Sequence, residues 1–153
     1  MLNPEKYSQG KKEMKDKFFI DTNILVYSFD LSNPAKWQKA NHLIKMALVE
    51  SKGCISYQVI QEFLNVATKK FATPLSIRDC QRYLDSVLHP LCQVFASVDL
   101  YHQALDLMQR WQYSFYDSLI LAAALQADCK ILYSEDLHHE QPIKSLTILN
   151  PFL

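Results

Sequence analysis

The chain has 153 residues, enough for one domain with a sizeable core. It is 49% hydrophobic and 12% aromatic, which excludes a disordered chain, and its 16 basic and 16 acidic residues cancel, so any binding of nucleic acid has to rest on a local basic patch. Its two glycines, Gly10 and Gly53, leave no room for a glycine-rich dinucleotide loop, a P-loop or a G-x-S-x-G elbow, so phosphate chemistry would have to work through metal and side chains.

Residues 1–16 are polar and lysine-rich, lack an apolar signal-peptide region and read as a flexible tail, with Met14 as an alternative start; residues 17–153 read as one domain. Phe18–Ile20 is predicted as the first strand, followed by a short helix over Asn23–Tyr27. A helix from about Asn33 to Glu50 has Pro34 in its first turn. Cys54–Ser56 is the second strand. Tyr57–Lys70 is helical by the spacing of Val59, Ile60, Phe63, Leu64 and Ala67, and Thr73-Pro74 breaks it. Ser76–Leu88 is a helix and Val94–Ala96 the third strand. Helices over Asp99–Trp111 and Phe115–Ala127 follow, the second apolar on most sides. Lys130–Tyr133 is the fourth strand and Thr147–Leu149 the fifth. Four cysteines without a C-x-x-C pair suggest neither a zinc knuckle nor a disulfide framework and suit a reducing cytosol. No apolar run reaches membrane-spanning length.

Short apolar strands alternating with helices predict a three-layer α/β/α, Rossmann-like fold around a mostly parallel five-stranded sheet. Ligands of such sheets collect at the carboxyl ends of the strands. Four acidic residues can share that rim: Asp21 after the first strand, Glu62 in the helix after the second, Asp117 in the first turn of the helix before the fourth, and Asp136 after the fourth. Each has a bland role too. Asp21 fits a helix N-cap. Asp117 closes a Ser114-Phe115-Tyr116-Asp117 capping box. Asp136 fits a turn. Glu62 is the exception, because an unpaired carboxylate between Val59 and Val66 would be costly. His138-His139 lacks the spacing to grip one ion and reads as a solvated loop. His42, His89 and His102 are scattered on helices. Lys36, Lys39, Lys69 and Lys70 read as solvated faces sooner than as basic patches.

Asp21-Thr22-Asn23 after a strand, Gln61-Glu62-Phe63 on a helix, Tyr116-Asp117-Ser118-Leu119-Ile120 opening a helix and Tyr133-Ser134-Glu135-Asp136-Leu137 after a strand together resemble the PIN-domain ribonucleases, most of all the VapC-type toxins of toxin–antitoxin pairs. The resemblance runs from about Lys17 to Pro151. It implies a PIN-like fold and an endoribonuclease dependent on Mg²⁺ or Mn²⁺, with Asp21, Glu62, Asp117 and Asp136 as catalytic metal ligands and Thr22, Asn23 and Ser134 supporting them. It also implies a cognate antitoxin, a homodimer and a cytoplasmic setting, with Trp37, Tyr83 and Trp111 as material for subunit contacts. One departure is Glu140, where relatives often have glycine. The rival reading is a non-catalytic PIN-like module that docks RNA or protein. A haloacid-dehalogenase-type phosphatase is disfavoured, because Asp21-Thr22-Asn23 lacks the second aspartate of D-x-D.

Overall fold

The computed structural model describes residues 16–153. The tail and Met14 readings therefore lie outside the described residues, apart from Asp16. Strands β1 (Phe18–Ile20), β2 (Gly53–Ser56), β3 (Cys92–Val94), β4 (Ile131–Tyr133), β5 (Pro142–Ile143) and β6 (Leu146–Leu149) form one sheet in the order β3-β2-β1-β4-β6-β5. All neighbours run parallel except β5 and β6. Among the described residues the sheet thus has six strands, not the expected five. The additional strand, β5, is two residues long and starts on a proline, too short to show a period, and proline is tolerated there because the strand is an edge.

Helices α1 (Thr22–Tyr27), α2 (Pro34–Val49), α3 (Tyr57–Lys69), α4 (Ile77–Tyr83), α5 (Val98–Trp111) and α6 (Phe115–Gln126) join the strands. Capping side chains fix several of their starts: Asn33 accepts from Lys36 N, Ser76 from Asp79 N, Ser97 from Leu100 N and Ser114 from Asp117 N. Beyond α4 the chain passes through a π-helical turn (Leu84–Leu88) and a last α turn (His89–Leu91). Leu88 and Leu91 are buried there, and helix continues past the predicted end at Leu88. β3 starts two residues earlier than predicted. Val94 is buried there, while Phe95 is 61% exposed.

The core is continuous across the sheet. Phe18, Phe19 and Ile20 of β1 are all buried, as befits a central strand covered on both faces. On α6, every residue from Ser118 to Ala124 is buried. Phe63, Phe29, Phe71 and Tyr83 form an aromatic cluster, with the Phe63 and Tyr83 centroids 4.9 Å apart. Tyr83 and Trp111 pack against the core, which places two of the three aromatics considered for subunit contacts at its margin. Phe95, just after β3, and Val98, Tyr101 and Leu105, on α5, are among the exposed apolar side chains.

With one glycine among the described residues, left-handed backbone falls on other residues: Ser51, Gln112, Asp128, Glu140 and Lys144 all have positive φ. Gly53 is needed for a different reason. A Cβ there would lie 2.2 Å from Ala47 Cβ and 2.9 Å from Phe18 Cε2, so its absence lets α2 close on β2.

Candidate active site

The carboxyl ends of β1 and β4 build the first half of the site. Asp21 N donates to Tyr133 O at 3.0 Å, and Ser134 N donates to Leu149 O at 3.0 Å, extending the sheet by one residue on each strand. This puts Asp21 and Ser134 side by side. Ser134, fully buried, donates its hydroxyl to Asp21 Oδ2 at 2.8 Å. Asp21 also caps α1, with Oδ1 accepting from Thr22 N at 2.7 Å. The capping role and a place in the site are therefore compatible. Two residues on, Asn23 donates its amide to Asp136 Oδ2.

The second half comes from α3 and α6. Glu62 is held at both oxygens: Thr22 Oγ1 donates to Oε2 at 2.6 Å and Gln58 Nε2 to Oε1 at 2.8 Å. Gln58 lies one helical turn before Glu62, and its Nε2 also donates to Tyr116 O at 3.2 Å, tying α3 to the start of α6. These bonds answer the cost of a carboxylate on that face.

Asp21, Glu62 and Asp136 thus stand within electrostatic reach of one another. Burial pushes the Asp21 carboxyl up to about 6; the bonds from Ser134 and Thr22 oppose this, while Glu62 and Asp136 add to it. Asp117 is less closely joined. It is half-buried in the first turn of α6, where its backbone N–H is capped by Ser114 Oγ at 3.2 Å, and no hydrogen bond or ion pair reaches its side chain from the other three. Its charge bears on Tyr113, whose hydroxyl accepts from His138 N at 3.4 Å and donates to Gln141, so the start of α6 meets the Asp136 loop through that ring.

Among the described residues, no Lys, Arg or His pairs with any of the four carboxylates. Nor are three acidic, His or Cys side chains drawn together tightly enough to hold an ion as they stand. The donor chemistry nonetheless suits a hard divalent cation: oxygen ligands only, mutually repelling, one of them short of compensation for its burial.

Sequence reading missed three residues at this rim. Gln58 was legible from its spacing to Glu62. Lys36 and Glu135, which pair at 2.6 Å, were not, because they are 99 positions apart. Bonds from Lys36 and Tyr27 hold the Glu135 carboxyl below its ordinary range even though burial pushes the other way. His139 accepts from Asn150 N at 2.8 Å, which places it in loop structure. No helix among the described residues is long and apolar enough to cross a membrane.

Comparison with known proteins agrees with this architecture. A toxin–antitoxin complex from Klebsiella pneumoniae contains a chain of similar fold, 21% identical, with a TM-score of 0.63, the match covering 88% of this chain and 98% of that one. The Mycobacterium tuberculosis toxin VapC20, described as cleaving the sarcin–ricin loop, is 20% identical with a TM-score of 0.56, over 78% of this chain and 90% of that one. FitAcB from Neisseria gonorrhoeae is 13% identical with a TM-score of 0.60, over 88% and 98%. No curated protein gives a significant match. Residues 18–142 match the PIN domain family, which is most of the chain, and the protein belongs to that family.

Proposed function

We propose that this protein is a Mg²⁺- or Mn²⁺-dependent endoribonuclease of the VapC type, the toxin of a type II toxin–antitoxin pair. The observation that carries the reading is the set of carboxylates at the carboxyl rim of the sheet, from β1, α3 and the loop after β4, each held by dedicated hydrogen bonds and none paired with a base among the described residues. Asp21, Glu62, Asp117 and Asp136 would hold the cation. When bound, it supplies Lewis acidity toward a phosphodiester and an activated water. The chain's own part is orientation. Ser134 and the Thr22 amide fix the plane of Asp21, Thr22 and Gln58 aim Glu62, and Asn23 aims Asp136.

One solved relative comes from a toxin–antitoxin complex and another is a toxin, which supports a protein partner for this chain as well. A groove of about 600 Å³, with Val26, Leu31, Val66 and Phe71 in its lining, offers an apolar seat for an antitoxin segment. The exposed Phe95, Val98, Tyr101 and Leu105 offer apolar area for a homodimer. The four buried or half-buried cysteines, all free, suit a cytoplasmic setting.

The test is cleavage of RNA by the purified protein with MgCl₂ or MnCl₂, against EDTA and against Asp21→Asn. Cleavage that requires the metal and Asp21 supports the assignment. RNA binding without cleavage under any metal would select the non-catalytic module instead, and cleavage undiminished in EDTA would remove the metal.

A further inference from the structure

The loop carrying Asp136 leaves β4 at Ser134 and has no regular structure until β5. Backbone bonds from Ser134 N to Leu149 O and from Glu140 N to Ile148 O hold its two ends, and side-chain chemistry anchors the part between. Lys36, in the first turn of α2, donates from Nζ to Glu135 Oε1 at 2.6 Å and to the Tyr27 hydroxyl at 3.2 Å. The same ammonium lies 4.5 Å from the centre of the Tyr27 ring and 5.2 Å from that of Phe152. Those two rings meet edge to face, 5.1 Å apart. One cation therefore joins α1, α2, the Asp136 loop and the last residues of the chain, and Lys36 is not the solvated residue that its sequence context suggests.

Exposed ion pairs contribute little as a rule. This one differs in two respects. Both side chains are only 26% exposed. In addition, Glu135 Oε2 is buried without a hydrogen-bond partner among the described residues, so Lys36, with the Tyr27 hydroxyl beside it, carries the compensation for that charge. Deprived of Lys36, Glu135 would turn toward water. Asp136 is the next residue, and its side chain is tied to the pocket by Asn23.

We propose that Lys36 and Glu135 form a clamp that holds the Asp136 loop against the acidic pocket. Lys36 is a positioning residue, acting through Glu135 on Asp136, and its charge is committed to Glu135 in place of a phosphate. The inference rests on the assignment of Asp136 to the site made above.

Lys36→Met keeps the stem over Tyr27 and Phe152 and removes the charge; Glu135→Gln removes the other half, and Lys36→Arg conserves the pair. The first readout needs no metal: hydrogen exchange of the amides in residues 134–141, followed by mass spectrometry. Lys36→Met and Glu135→Gln are expected to exchange this segment about tenfold faster, with α6 unchanged and with Lys36→Arg at the wild-type rate. The second readout is Mn²⁺ binding by calorimetry, where a displaced Asp136 weakens affinity about tenfold. A charge effect alone would have the opposite sign, because removing a cation beside a negative pocket tightens cation binding. Unchanged loop exchange, or tighter Mn²⁺ binding in Lys36→Met, would overturn the clamp. Faster loop exchange in Lys36→Met, with wild-type protein that binds no Mn²⁺, would uphold the clamp and remove the metal from the proposed function.

Discussion

The two ends of the sheet are built on opposite terms. At the amino ends of the strands packing is close and apolar. Gly53 lies under Ala47 and Phe18, and the buried thiols of Cys54 and Cys129 touch at 3.4 Å. At the carboxyl ends, Asp21, Glu62 and Asp136 gather without a basic partner among the described residues, and Asp21 is pushed up to about 6. The difference separates two duties within a single sheet. The amino end contributes stability, and the carboxyl end gives some of it up to hold the partly buried carboxylate of Asp21 beside Glu62 and the exposed Asp136.

Substitutions at the two ends should therefore have opposite profiles. Asp21→Asn is expected to keep the fold and lower metal-dependent RNA cleavage on the order of a thousandfold, several kcal/mol in the barrier. Single-turnover cleavage of a labelled RNA checks the rate and circular dichroism the fold. A variant that cleaves within a few-fold of wild type would break the comparison at its polar end.

Gly53→Ala is the counterpart. The new Cβ meets Ala47 Cα, a backbone atom, at 2.8 Å, so a rotamer change gives no relief. Overpacking of this kind is expected to cost about 3 kcal/mol, read as a lowered urea midpoint with little change in cleavage per folded molecule. An unchanged midpoint would mean that α2 can shift away from β2 at no cost.

A third effect is smaller and concerns pH. The Asp21 carboxyl is raised from 3.8 to about 6, so the folded protein holds a proton that the unfolded chain has released. Its contribution to stability is full below about pH 4 and is lost as pH rises through about 6. Without added metal, wild type should lose on the order of 2 kcal/mol relative to Asp21→Asn between pH 4 and pH 7. Denaturant titrations of both proteins at each pH give the difference. A difference that is flat with pH, or grows in favour of wild type, would mean that the pocket compensates Asp21 by a route other than protonation. A divalent cation at pH 7 should stabilise wild type and not the variant.

How much of this was legible depended on how far apart the interacting residues stand. Asp21-Thr22-Asn23 and Ser134-Glu135-Asp136 each follow a strand directly, so their place on one rim followed from the sheet's handed, parallel order. Glu62 stood out because its helix face is apolar, and Gln58 four residues earlier was the natural partner. Asp117 read as a capping-box residue, and the structure does show the Ser114 half of that box. Its distance from the other carboxylates depends on how α6 docks, which no local pattern encodes. The Lys36–Glu135 pair was silent for the same reason. The fold class needed only periodicity, whereas β5 and the π-helical turn, each a few residues long, carry too little pattern to read.

The smallest expected effect lies at Glu140, where the resemblance to PIN toxins calls for glycine. Glu140 has φ 65°, a left-handed conformation that disfavours a side chain by about 1 kcal/mol. The loop thus takes a backbone shape suited to glycine without having one. Its N–H donates to Ile148 O at 2.7 Å, continuing the β5–β6 pairing, and its exposed carboxylate stands 3.5 Å from His139. Glu140→Gly relieves the side-chain penalty and loses a comparable amount to the greater freedom of the unfolded chain. The net change should stay within about 1 kcal/mol, with the loop in place and cleavage unaltered. Glu140→Ala serves as control, since it removes the same charge and keeps the Cβ. If glycine is less stable than alanine at this position by more than about 1 kcal/mol, the entropic loss outweighs any relief, and the left-handed backbone is not what the family's glycine serves.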